Sequence, residues 1–110
     1  MKDLTLYETI HLLAIVRQGD NAYGVTIKEE INEMTGRELS YGTLYSYLDQ
    51  LYKKGLVQKM SGPPTPERRG RRRIFYTLTK EGAKALQAAY ELQQSIWTGL
   101  PEFVFKEGRS

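Results

Sequence analysis

Five of the six positions from Arg68 to Arg73 are arginine, broken only by Gly70. A guanidinium is always charged and presents its donors as a planar fork that matches a phosphate. With Lys59 just upstream, residues 59–73 hold six bases against Glu67 alone, a local excess of +5 in a chain of net charge +3, so the remainder carries −2. Pro63, Pro64 and Pro66 together with Gly62 and Gly70 put this charge on a projecting loop, where it is the footprint of a phosphate-binding surface. The stems of Arg72 and Arg73 are expected to cover part of the core. Arg68, Arg69 and Arg71 are then the freest contacts, with Arg72 as a further candidate.

A second constellation is rich in hydroxyls. Ser40, Tyr41, Gly42, Thr43, Tyr45 and Ser46 are predicted to form the start of a helix, the part of a major-groove helix that meets base edges. Small residues permit close approach, and hydroxyls donate to or accept from bases and phosphates. None of these residues is an arginine or asparagine able to grip a base with two bonds, so readout is expected to lean on apolar packing and DNA shape. Ser40, Tyr41, Thr43, Tyr45 and Ser46 are the base-side candidates, while Tyr47, beside the leucine stripe, reads as core. Tyr23, Lys28 and Lys53 are candidate backbone contacts.

Other chemistry finds little support. The chain has no cysteine, which removes disulfides and thiolate metal sites. His11 is the single histidine, so no histidine-paired dyad can form within one chain. Glu29, Glu30 and Glu33 have the spacing of a solvated helix face, and neither a phosphate loop nor zinc-ligand spacing occurs. No cofactor, metal or enzymatic activity is expected. With 40% apolar and 26% charged residues in 110 positions, one globular domain is expected. Without a long apolar run or a secretory leader, it is expected in the cytoplasm.

Periodicity supplies the elements that must position these groups. Leu4–Gly19 reads as a helix capped by Asp3, with Leu6, Ile10, Leu13 and Val16 as its apolar stripe. Thr26–Met34 is a second helix, ended by Gly36. Tyr41–Lys54 is a third, capped by Ser40, with Leu44, Leu48 and Leu51 on one face and Gly55 as its stop. Leu56–Met60 is expected as a strand, 61–66 as loop because prolines remove donors, and Arg73–Leu78 as the returning strand. Thr79 caps a last helix, Lys80–Leu100, with Gly82 a weak point in its first turn. Along it Leu86, Tyr90, Gln93, Trp97 and Leu100 repeat at an average of about 3.5 residues, the seam of a helix that packs on another helix. Pro101 stops it, and the pattern leaves Glu102–Ser110 open between packing on the body and joining a dimer contact.

This order is a mainly α fold with one small β-hairpin. Residues 1–79 read as a winged helix-turn-helix DNA-binding domain and residues 80–110 as a dimerisation helix and tail. The alternative is a winged-helix protein-interaction module without DNA binding, but such a wing has no need of five arginines in six positions.

Three stretches resemble the PadR family of bacterial transcriptional regulators: Tyr23-Gly24; Ser40-Tyr41-Gly42-Thr43-Leu44-Tyr45 followed by Leu48, Leu51, Gly55, Leu56 and Val57; and Arg72-Arg73-Ile74-Phe75-Tyr76-Thr77-Leu78-Thr79 followed by Glu81-Gly82. The resemblance runs from about Leu4 to Leu100, and the single C-terminal helix is similar to that of the short subfamily. It implies a homodimer joined through the first and last helices and repression of a target operon through double-stranded DNA at an inverted-repeat operator. It also implies response to phenolic acids or planar aromatic compounds. Trp97 then either anchors the dimer or offers a flat face to such a ligand. The proline-containing wing departs from shorter family wings.

Overall fold

The computed structural model describes residues 3–64 and 72–108. The element order is α1 (Leu6–Gln18), a short 3-10 turn (Gly19–Asn21), α2 (Gly24–Thr35), α3 (Tyr41–Lys53), β1 (Val57–Pro64), β2 (Arg72–Leu78), α4 (Lys80–Trp97) and α5 (Phe103–Glu107). The mainly α architecture with one antiparallel hairpin is the expected one.

The caps explain most boundaries. Ser40 Oγ accepts from the Thr43 amide at the start of α3, and Thr79 Oγ1 accepts from Gly82 N at the start of α4. Gly36 closes α2 in the left-handed region at φ 69°, and Gly55 follows α3 at φ 76°. The cap of α1 is Thr5 rather than Asp3. Thr5 Oγ1 accepts from Glu8 N while the Glu8 carboxylate accepts from Thr5 N, so two otherwise unpaired amides are satisfied reciprocally.

The buried face of α1 differs from the stripe read in the sequence. Glu8, His11, Leu12, Ala14 and Ile15 point inward, whereas Leu6 is 63% exposed and Val16 50%. The helix has apolar residues on more than one face, and two polar residues go inside because partners await them. Glu8 receives Lys54 Nζ and Gln50 Nε2 from α3, and His11 Nδ1 meets the Tyr7 carbonyl oxygen at 2.6 Å. Around them Leu12, Ile15, Ile27, Ile31, Leu44, Leu48, Leu51 and Val57 form the core.

β1 runs past Met60 to Pro64, where a loop was expected. In a two-stranded sheet each strand has a free edge, so prolines are accommodated there. The register slips between Ser61, paired with Ile74, and Pro64, paired with Arg72. The hairpin is tied to the helices: Tyr76 N donates to the Ala22 carbonyl at 2.8 Å, and Tyr23 bridges Phe75.

α4 ends at Trp97, three residues before Leu100. Gly99 takes φ 80°, and Pro101 disfavours helical geometry in the residue before it. Leu100 therefore lies outside the helical seam. From Tyr90 to Leu100 every residue is exposed, so the last two turns of α4 extend beyond the body. Gly82 is a requirement of packing: a Cβ there would lie 2.2 Å from the Leu56 carbonyl oxygen.

Candidate nucleic-acid interface

α3 turns Leu44, Leu48 and Leu51 into the core, which leaves Gly42, Thr43, Ser46, Asp49, Gln50 and Lys53 on its exposed side. The hydroxyl of Ser40 is engaged twice, accepting from Thr43 N and donating to Thr43 Oγ1 at 3.0 Å. Its contribution is to fix the first turn of α3. Thr43 and Ser46 are exposed on the turns that follow.

Tyr41 and Tyr45 stack with ring centroids 6.3 Å apart and remain about half exposed. The Tyr45 hydroxyl lies over Gly24, where a Cβ would come within 2.1 Å of it. That contact explains physically why the Tyr23-Gly24 pair and Tyr45 occur together: the second helix must present a bare backbone for the third to approach. Lys28 sits 5.1 Å from the Tyr41 ring centre and pairs with Glu38 at 2.6 Å. The hydrogen bond it donates to Glu38 holds the Lys28 ammonium above its ordinary pKa, so it stays charged. Asn32 Nδ2 also reaches Glu38, at 3.3 Å, while Asn32 Oδ1 accepts from Leu39 N and fixes the turn between α2 and α3.

The sequence candidates thus fall into groups. Tyr23, Lys28, Ser40, Tyr41, Thr43, Tyr45 and Ser46 form one connected patch across the start of α2 and the start of α3. Lys53 is at the far end of α3 and is paired with Asp49 at 3.0 Å. Arg72 is exposed at the start of β2. Arg68, Arg69 and Arg71 lie outside the described residues. Tyr47 is half-buried against the His11 ring at 4.7 Å, as its place beside the leucines implied.

Two further cations complete the surface. Lys59 Nζ stands 4.3 Å from the Tyr52 ring centre, and the Arg73 guanidinium lies 4.5 Å over the Tyr23 ring. The expectation for Arg73 was a stem covering the core, and Lys59 counted only as charge, because ring contacts between separate elements leave no periodic signal.

A helix starting with small and hydroxylated residues, flanked by a basic hairpin, has the geometry for groove entry with backbone contacts alongside. The model of the transcriptional regulator PadR-like family matches residues 12–88. The chain belongs to this family. The PadR-like chain is similar to solved structures over most of its length. H. salinarum RosR shares 30% identity over 98% of this chain and 90% of that one, with a TM-score of 0.68. A PadR family transcription regulator from hypervirulent Clostridium difficile R20291 shares 26% over 89% and 98%, with a TM-score of 0.70. F93 from STIV, a winged-helix DNA-binding protein, shares 21% over 91% and 100% at a TM-score of 0.66, a likeness of fold alone. No curated protein matches significantly. The PadR-like chain is thus a winged-helix, DNA-binding transcriptional regulator.

The seam residues lie apart from this surface. Leu86, Tyr90 and Gln93 line a groove of about 420 Å³ with Thr9, Leu13 and Val16 of α1. Tyr90 and Gln93 also border a second, smaller groove of about 280 Å³ beside Trp97. The Trp97 ring faces Phe105 of α5 at 6.3 Å, and Leu100 lines neither groove. Among the described residues no helix is long and apolar enough to cross a membrane.

Proposed function

We propose that this PadR-like regulator is a cytoplasmic homodimeric repressor that grips an inverted-repeat operator and is released by a planar aromatic molecule. One observation carries the dimer: Tyr90, Leu92, Ile96 and Trp97 on the free end of α4 are 46–62% exposed. Of these, Tyr90 lines the groove whose other wall is Thr9, Leu13 and Val16 of α1, while Leu92 and Ile96 leave a second side of the helix apolar. A monomer gains nothing by exposing so many large apolar side chains on one helix end, and a second copy of the same helix pair would bury them.

In this reading Thr43, Ser46, Tyr41 and Tyr45 enter the major groove with the first turn that Ser40 fixes. Tyr23, Lys28, Lys53, Arg68, Arg69, Arg71 and Arg72 meet phosphates. Two such surfaces related by a two-fold axis would meet half-sites about 34 Å apart or a multiple of that. Trp97, with Tyr90 and Gln93 beside it, provides the stacking face for the effector, which acts by altering the spacing of the two surfaces.

Sedimentation equilibrium of the wild type and of Trp97→Ala, at concentrations that saturate promoter DNA, tests the assembly. Dimeric wild type and a weakened dimer in the variant are expected, while a monomer at DNA-binding concentrations would overturn the reading. Quenching of the single tryptophan by planar aromatics, together with loss of promoter binding, tests the release. Quenching without any change in DNA affinity would remove the effector from the account.

A further inference from the structure

We infer that Arg73 is a backbone-phosphate contact, held ready by a stack of Phe75 and Tyr23 at the base of the wing. The inference deepens the DNA-binding reading and is independent of the dimer and the effector. Arg73 and Phe75 are two apart on β2 and share a strand face. Both meet Tyr23, which precedes α2. The Phe75 ring stands edge-on to Tyr23 at 5.4 Å and 68°, and the Arg73 guanidinium lies over the Tyr23 ring at 4.5 Å. Phe75 is backed in turn by Gly62 of β1, where a Cβ would come within 2.5 Å of its ring. The Tyr23–Phe75 bridge and the bond from Tyr76 N to Ala22 O hold the backbones that carry these side chains. The guanidinium is therefore located by a stack four residues deep.

Among the described residues this cation has no anion. No carboxylate of those residues lies within ion-pair distance of Arg73, and because its Nε is buried without a hydrogen-bond partner, only the two terminal nitrogens are left to meet a ligand. An arginine kept for stability normally has its donors satisfied, because a buried unpaired donor costs about 1–3 kcal/mol. Here the flat face is stacked and no described residue bonds the terminal nitrogens, an arrangement suited to two parallel bonds from Nη1 and Nη2 to a phosphate. The location agrees. Tyr23 adjoins Gly24, the Tyr45 hydroxyl lies on Gly24, and Tyr45 stacks on Tyr41 at the start of α3. Arg73 thus borders the helix surface on the side of the wing. Stacked in this way, Arg73 has little side-chain freedom left to lose on binding.

Phosphate contacts carry no sequence information, so a random-sequence duplex serves as the probe. Its affinity is measured by fluorescence anisotropy at salt concentrations from about 50 to 200 mM. Arg73→Met is expected to weaken binding about tenfold and to lower the slope of log affinity against log salt by about 0.9 for each protomer bound. Arg73→Lys, which keeps the charge and loses the planar fork, is expected to retain the slope with an affinity several-fold below wild type. An unchanged slope in Arg73→Met overturns the inference, whether affinity falls because the wing is deformed or stays as it was. Should Arg73→Met fail to fold, wild-type affinity in Arg73→Lys would overturn the stacked fork. A dimer or effector failure would leave these slopes untouched.

Discussion

Glu8 and His11 are the two buried polar residues among those described, the first held by a cation and the second by a backbone carbonyl. For Glu8, burial alone would raise the carboxyl pKa, but hydrogen bonds from Lys54 and the Thr5 amide outweigh it and hold it below the ordinary 4.5. For His11, burial lowers the imidazole below 6.5 despite the bond to the Tyr7 carbonyl, and Nε2 has no partner. Both depressed values have the same sign in linkage: the unfolded chain binds protons first, so stability falls with acid. His11 contributes fully above about pH 6.5 and less as pH drops toward its folded-state value, and Glu8 is lost below the carboxylate range. Thermal melts at pH 7.5, 5.5 and 4 are expected to show a two-stage fall in Tm. His11→Phe should remove the first stage, and a profile flat from pH 7.5 to 5.5 in the wild type would contradict this account. Neither role was legible in the sequence. A glutamate and a histidine three apart read as solvated or neutral until the Lys54 and Tyr7 groups that receive them are known.

At the level of elements, existence and order were legible because caps and leucine spacing are local signals: Ser40, Thr79, Gly36 and Gly55 act where their types suggested. What faced inward on α1 was not. Leu6, Leu13 and Val16 make as good a stripe as Leu12 and Ile15, and only the packing of α2 and α3 selects between them. The length of β1 was missed for a related reason, since a proline rule for central strands does not bind a strand with a free edge. Gly82 reads as a weakness in α4 yet is demanded by contact. Alanine is ordinarily better than glycine by about 1 kcal/mol in a helix. At Gly82 the new Cβ would meet a backbone oxygen at 2.2 Å and Leu78 Cδ1 at 2.6 Å, and overpacking costs about 1–3 kcal/mol. Gly82→Ala is therefore expected to lower unfolding free energy by up to about 2 kcal/mol in urea titrations. A stabilised variant would show that α4 can shift away from Leu56 freely.

For the whole molecule, the free end of α4 makes stability and assembly one question. If the exposed Tyr90, Leu92, Ile96 and Trp97 are covered by a second copy, association stabilises the folded chain and Tm must rise with protein concentration. Melts across a dilution on the order of a hundredfold are expected to show this rise, and concentration-independent Tm values would argue for folding as a lone chain. The proposed DNA-facing patch was legible as residue types, yet not as a surface. That Tyr23, Gly24, Tyr41 and Tyr45 meet follows from the crossing of α2 and α3, and the pairing of Lys28 with Glu38 follows from the turn between them.

The bond from Tyr76 to Ala22 and the bridge from Phe75 to Tyr23 have a mechanical consequence. They tie the wing base to the start of α2, on which Tyr45 of α3 rests, so in the proposed complex these parts act as a single reading head with little play between its two grips on one half-site. In a paired molecule the adjustable quantity is then the phase between two heads. A twist of a few degrees at the α4 junction would put both out of step with the helical pitch while each stays intact.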